Sequence, residues 1–131
     1  MLMKILLADD DIDDRFFFSD FLKHRQDIEI LASVTDGFEV INYLDQITGE
    51  SNYPNLIVLD QNMPKLNGRE TLQAIRKNEK YKGIAVVVYS TYMDQNLIDE
   101  CSRYDVASVY TKPFSLDGYN QMMDDIMTSI R

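Results

Sequence analysis

Met3-Lys4-Ile5-Leu6-Leu7-Ala8-Asp9-Asp10-Asp11 is a short apolar run that stops on three consecutive acids. A continuous apolar segment of this length, ended by polar residues, reads as a buried strand. The pattern recurs outward from it. Residues 28–34, 55–59 (Asn-Leu-Ile-Val-Leu), 84–89 (Ile-Ala-Val-Val-Val-Tyr) and 107–111 are further strand candidates, and the run at 55–59 is stopped by Asp60. Helical stretches alternate with them. One covers about 13–24, and a second at 37–47 puts Phe38, Ile41, Leu44 and Ile47 on one face. A third, after a turn bracketed by Pro64 and Gly68, carries Leu72 and Ile75. A fourth, capped by Asp94, aligns Leu97, Cys101 and Tyr104, and a fifth, capped by Ser115, turns Leu116, Tyr119, Met123, Ile126 and Ile130 inward. Strands apolar throughout, separated by helices, imply a parallel sheet covered on both faces: a doubly wound α/β domain.

Composition sets the limits. With 131 residues the chain is expected to form one domain spanning 1–131, with no second domain after the last helix. Asp and Glu number 22 against 13 Lys and Arg, a net charge of −9, which repels phosphate backbones and anionic headgroups. Nucleic-acid and membrane binding are therefore not expected. Cys101 is the single cysteine, which excludes an internal disulfide and any multi-cysteine metal site. No apolar run approaches the roughly 20 residues of a membrane span, and a cytoplasmic location is expected.

The residues that end the strands carry the chemistry. The first strand ends in Asp9 and Asp10, the third in Asp60, the fourth in Ser90 and the fifth in Lys112. In a parallel sheet these ends share one edge, where such folds bind ligands. Taken singly, each has a bland reading: an Asp after a strand is a common helix cap, Ser90 a loop residue, Lys112 a solvated surface lysine. Jointly they do not. Carboxylates ending strands about 4.8 Å apart repel one another unless a proton or a cation intervenes. Oxygen donors without His or Cys favour a hard ion such as Mg²⁺, which readily adds a phosphate oxygen to its ligands. A hydroxyl and an ammonium on the same edge complete a set suited to a phosphoryl group.

Four segments stand together: Ile5 to Asp11, Leu59-Asp60-Gln61-Asn62-Met63-Pro64 with Gly68 beyond it, Val88-Tyr89-Ser90-Thr91, and Thr111-Lys112-Pro113-Phe114. With them the chain resembles the receiver domain of two-component response regulators, of the stand-alone, chemotaxis-regulator-like kind. The resemblance spans nearly the whole chain. It implies a flavodoxin-like fold of five helices around a five-stranded sheet ordered 2-1-3-4-5. It also implies that Asp60 accepts a phosphoryl group from a phosphohistidine on a sensor histidine kinase or a phosphotransfer protein. Asp10 and Asp60 would hold Mg²⁺ by carboxylate, Asn62 by its backbone carbonyl, and Asp9 largely through a bound water. Ser90 and Lys112 would hold the phosphoryl oxygens, and the Lys112–Pro113 bond would be cis. The candidate catalytic residues are thus Asp60, Ser90 and Lys112, and the candidate metal ligands Asp9, Asp10, Asp60 and Asn62.

Two departures from the family pattern stand out. Where relatives carry Tyr or Phe three residues before the strand-five lysine, this chain has Val109, with Tyr110 next to it. Beside Ser90, Thr91 and the bulky Tyr92 are expected to narrow access to the phosphoryl group. In the run Phe16-Phe17-Phe18, successive helical positions lie about 100° apart, so all three cannot face the core. Phe17, Phe18 and Phe21 are expected to be core residues, and Phe16 is a candidate anchor for a donor helix. Output is expected through protein contacts at the helix-four, strand-five, helix-five face, as a monomer or a phosphorylation-dependent dimer. A degenerate receiver acting as a scaffold is the first alternative. An aspartyl-phosphate phosphatase of the haloacid dehalogenase type is the second, but its general acid would be an Asp where this chain has Asn62.

Overall fold

The computed structural model describes residues 2–130. Its elements follow in the order β1 (Met3–Ala8), α1 (Ile12–Leu22), β2 (Ile28–Val34), α2 (Gly37–Asp45), a 3₁₀ turn (Glu50–Asn52), β3 (Leu56–Asp60), α3 (Gly68–Lys77), β4 (Ala85–Ser90), α4 (Gln95–Ser102), β5 (Ser108–Thr111) and α5 (Leu116–Ser129). The strands pair in parallel in the order β2-β1-β3-β4-β5, as the resemblance implies.

Strand alternation divides the core into two layers. Leu6, Ala8, Ile57, Leu59, Val86 and Val88 face α2, α3 and α4, where they meet Val40, Leu44, Leu72, Ile75, Leu97 and Cys101. Ile5, Leu7, Leu56, Val58, Val87 and Tyr89 face α1 and α5, where they meet Phe18, Leu22, Tyr119, Met123 and Ile126. Burying each of these large side chains is worth roughly 1.5–3 kcal/mol. All five residues of β3 are buried, because β3 is the central strand and carries Asp60 at its end. Asp11, Asp36, Asn67, Asp94 and Ser115 cap the five helices through their side chains, so each helix start is fixed next to the strand end that precedes it.

Several helix faces differ from expectation by one position. Phe38 is exposed, because the inward stripe of α2 runs through Gly37, Val40 and Leu44, about 100° away. Leu116 is exposed at the open first turn of α5, while Met122 and Met127 are buried in its place. Phe17 is exposed beside Phe16, so of the three consecutive phenylalanines only Phe18 reaches the core. The Lys112–Pro113 bond is trans rather than cis, and an X–Pro amide separates the isomers by only about 0.5–1 kcal/mol. Among the described residues, no helix is long and apolar enough to cross a membrane.

Candidate functional site

The site lies where β1, β3, β4 and β5 end. Backbone hydrogen bonds past the strand ends lock that edge: Asp9 N–H donates to Val34 O (3.0 Å), Gln61 N–H to Tyr89 O (2.9 Å) and Lys112 N–H to Ser90 O (2.8 Å). Asp9 and Asp60 are buried and Asp10 is exposed, yet carboxylate oxygens of all three lie within 4.8 Å of one another. Lys112 is threaded among them. Its Nζ is 3.1 Å from Asp9 Oδ2, 3.3 Å from Asp60 Oδ2 and 2.7 Å from Asp14 Oδ2. Ser90 is buried on the neighbouring strand end, its Oγ accepting from Tyr92 N–H at 3.3 Å. Asn62 N–H donates to Asp60 Oδ1 at 3.2 Å.

The electrostatics follow from crowding. Burial first, and the Asp9 charge second, push the Asp60 carboxyl up to about 7, against the opposing pull of Lys112 and the Asn62 N–H. Burial alone would lower Lys112, but Asp14, Asp60 and Asp9 outweigh it and hold the ammonium above the ordinary lysine range. Lys112 thus faces three carboxylates, Asp9, Asp14 and Asp60, with the Asp10 carboxylate close to two of them and the Arg15 guanidinium on the Asp9 backbone carbonyl. An all-oxygen donor set with this surplus of negative charge fits a hard divalent ion.

Beside Asp60 and Ser90 opens a cleft of about 270 Å³ lined by Gln61, Asn62, Ser90, Tyr92, Asp94 and Leu97. Tyr92 forms part of its wall beside Ser90 and is 83% exposed. Gly68 holds the opposite loop in place. Its N–H donates to Gln61 O at 3.1 Å, and a Cβ there would sit 2.8 Å from Asp60 O and 3.0 Å from Gln61 Cα. Those are backbone atoms, which yield only if the Asp60 loop moves. Gly68→Ala is expected to cost about 1–3 kcal/mol of stability, read as a lowered urea midpoint; an unchanged midpoint would show that the loop yields freely.

All the residues anticipated from strand ends, Asp9, Asp10, Asp60, Ser90 and Lys112, meet at this edge, with Asn62 beside them. Two neighbours were not anticipated. Asp14, in the first turn of α1, makes the shortest contact to Lys112. Tyr89, buried at the end of β4, donates its hydroxyl to Asp9 Oδ2 at 2.6 Å. The clue to Tyr89 was a phenol at the last apolar position of a strand, where alternation turns it towards β1 and α1.

The family model for the response regulator receiver domain matches residues 5–124. Response regulator Rcp1 from Synechocystis sp. is 34% identical over 93% of this chain and 84% of its own length. The Mn²⁺-bound form of Rcp1 superposes with a TM-score of 0.77 at 32% identity, covering 96% of this chain and 92% of that one. A phosphorylated cyanobacterial phytochrome response regulator, RcpA, does so with a TM-score of 0.79 at 31% identity, covering 96% and 91%. Against a protein-glutamate methylesterase from Clostridium acetobutylicum, 28% identical, the chain spans 98% of itself but only 36% of the relative. The chain belongs to the response regulator receiver domains, phosphoryl-accepting signalling modules that bind a divalent metal in an acidic pocket.

Proposed function

We propose that Asp60 is the phosphoacceptor, taking a phosphoryl group from a phosphohistidine on a sensor histidine kinase or a phosphotransfer protein in a Mg²⁺-dependent reaction. One observation carries this reading: Lys112 Nζ lies within 3.3 Å of both Asp9 and Asp60, at the edge that also holds Asp10 and Ser90. Asp10 and Asp60 would hold Mg²⁺ by carboxylate and Asn62 by its backbone carbonyl. Asp9 would act through water, which suits a carboxylate whose oxygens already accept from Asp11 N–H, Tyr89 and Lys112. The ion would supply charge neutralisation at the transferred group. Asp60 Oδ attacks phosphorus as the P–N bond to histidine breaks, giving an acyl phosphate. Lys112 offsets the repulsion between carboxylate and phosphoryl, and Ser90 donates to a phosphoryl oxygen.

The test is incubation with Mg²⁺ and a small phosphodonor, followed by intact mass. One added phosphoryl group is expected, and none when the divalent ion is chelated. A scaffold would gain none under either condition, and a phosphatase would turn the donor over continuously. The chain is read as catalysing only its own phosphorylation and dephosphorylation, in the cytoplasm.

Phosphorylation then switches protein contacts. Moving a two-state equilibrium from 1:99 to 99:1 takes about 5.5 kcal/mol, and one charge-assisted hydrogen bond supplies roughly 1.5–3 kcal/mol. Ser90 therefore needs Lys112 and the ion alongside it. Val109 packs against the layer of Leu97 and Cys101, whereas Tyr110 packs against the opposite layer and does not take the missing aromatic's place. The α4–β5–α5 face is read as shifting through backbone and Ser90 movement, towards an effector protein or a second copy of the chain.

The donor would dock beside α1. Phe16 is 61% exposed there, next to a cleft of about 200 Å³ lined by Asp14, Phe17, Phe21, Pro113, Phe114 and Tyr119. Phe16→Ala is expected to weaken phosphotransfer from a histidine donor by roughly 5–30-fold in kcat/KM, the loss of about 1–2 kcal/mol at one anchor. Phosphorylation by a small donor and the melting temperature should stay as in the parent. Equal transfer from the protein donor would reject the anchor.

A further inference from the structure

We infer that Tyr89 is a positioning residue for the acid cluster: its hydroxyl, donated to Asp9 Oδ2 at 2.6 Å, fixes the Asp9 carboxylate for the divalent ion. The inference rests on the metal-dependent reading above. Tyr89 is fully buried, at the last position of β4 before Ser90, and its register partner is Asp60. Val87, on the same face of β4, is equally buried without a polar group, so the hydroxyl distinguishes Tyr89 from its strand neighbour in that layer.

Three features support the assignment. The first is that Asp9 is held from two sides. Oδ1 accepts from Asp11 N–H at 3.0 Å, and Oδ2 accepts from Tyr89, so the carboxylate plane is defined by one backbone and one side-chain donor. The second is that the ring itself is clamped. Phe18 meets it edge-on at 6.4 Å, and Phe18 in turn packs edge-on against Tyr119 at 5.9 Å. The third is that Lys112 Nζ lies 5.0 Å from the ring centroid, so one side chain touches both the acid and the ammonium of the site. Groups that orient an ion's ligands commonly matter to metal affinity by 10–100-fold, and a carboxylate that reaches the ion through water puts the expected effect at the lower end of that range.

Titration calorimetry of Mg²⁺ into the parent, Tyr89→Phe and Tyr89→Leu tests this. Tyr89→Phe keeps the ring over which Lys112 sits and removes only the hydroxyl. It is expected to bind Mg²⁺ about tenfold more weakly, and to melt about 5–10 °C lower than the parent without divalent ions, the shift expected from one lost charge-assisted hydrogen bond. Mg²⁺ is also expected to perturb the tyrosine ultraviolet spectrum of the parent, and that difference should vanish in Tyr89→Phe. A Phe variant that binds Mg²⁺ like the parent, with only Tyr89→Leu impaired, would reduce Tyr89 to a packing residue and overturn the inference. A spectral difference of equal size in parent and Phe variant would overturn it too. A parent that takes up no Mg²⁺ at all would remove the metal-dependent reading itself, an outcome distinct from both.

Discussion

Asp60→Asn is expected to take up no phosphoryl group, from a small phosphodonor or from a phosphohistidine protein, while folding at least as stably as the parent. The amide has the shape of the acid but no anionic oxygen to attack phosphorus, and its nitrogen lone pair is delocalised into the carbonyl. Its oxygen can still accept from the Asn62 N–H that now reaches Asp60 Oδ1 at 3.2 Å. Lys112 is not orphaned, because Asp14 at 2.7 Å and Asp9 at 3.1 Å remain. The loss therefore reports chemistry rather than collapse. Intact mass after incubation with Mg²⁺ and donor decides it: a phosphoryl group retained by the variant would place the acceptor on another residue, with Asp10 as the exposed candidate.

The edge that Asp60 occupies was legible because each of its residues ends an apolar run. Five such runs separated by helices require a parallel sheet, and a parallel sheet gathers its carboxyl ends on one side. Asp9, Asp10, Asp60, Ser90 and Lys112 could thus be grouped before any distance was known. The helix faces were less legible. Phe17, Phe38 and Leu116 sit beside true core positions, and a shift of one residue is about 100° of rotation, with apolar side chains on both sides of the choice. Asp14 reads as an ordinary acid favourable to a helix N-terminus, which it also is. Only the path of β5 brings Lys112 against it, a contact 98 residues apart in sequence. Tyr89 was hidden by its own burial, since an aromatic residue in a run of valines looks like core. It is core on its ring and polar at its tip.

The crowding of acids should also appear in the stability of the fold. Without divalent ions, the protein is expected to lose stability as the pH rises from about 4 to about 7. The window follows from Asp60, which titrates near 3.9 in an unfolded chain and is pushed up to about 7 in the fold. Between those values the folded state binds the extra proton, so the contribution is complete at low pH and is lost as the pH climbs through the folded value. At about 1.4 kcal/mol per pH unit, the loss is on the order of 4 kcal/mol. General repulsion in a chain of net charge −9 slopes the same way, so the parent alone does not isolate Asp60. Asp60→Asn does, because the amide has no proton to lose: its urea midpoint should match the parent's near pH 4 and exceed it at pH 8. Mg²⁺ should then restore the parent at pH 8, by about 2.7 kcal/mol at a concentration 100 times its dissociation constant, and act far less on the variant, which lacks one of the ligands. Parallel curves for the two proteins across this range would mean that Asp60 carries its charge without strain. The cation would then be needed only for the chemistry, and not to let the folded pocket hold its acids together.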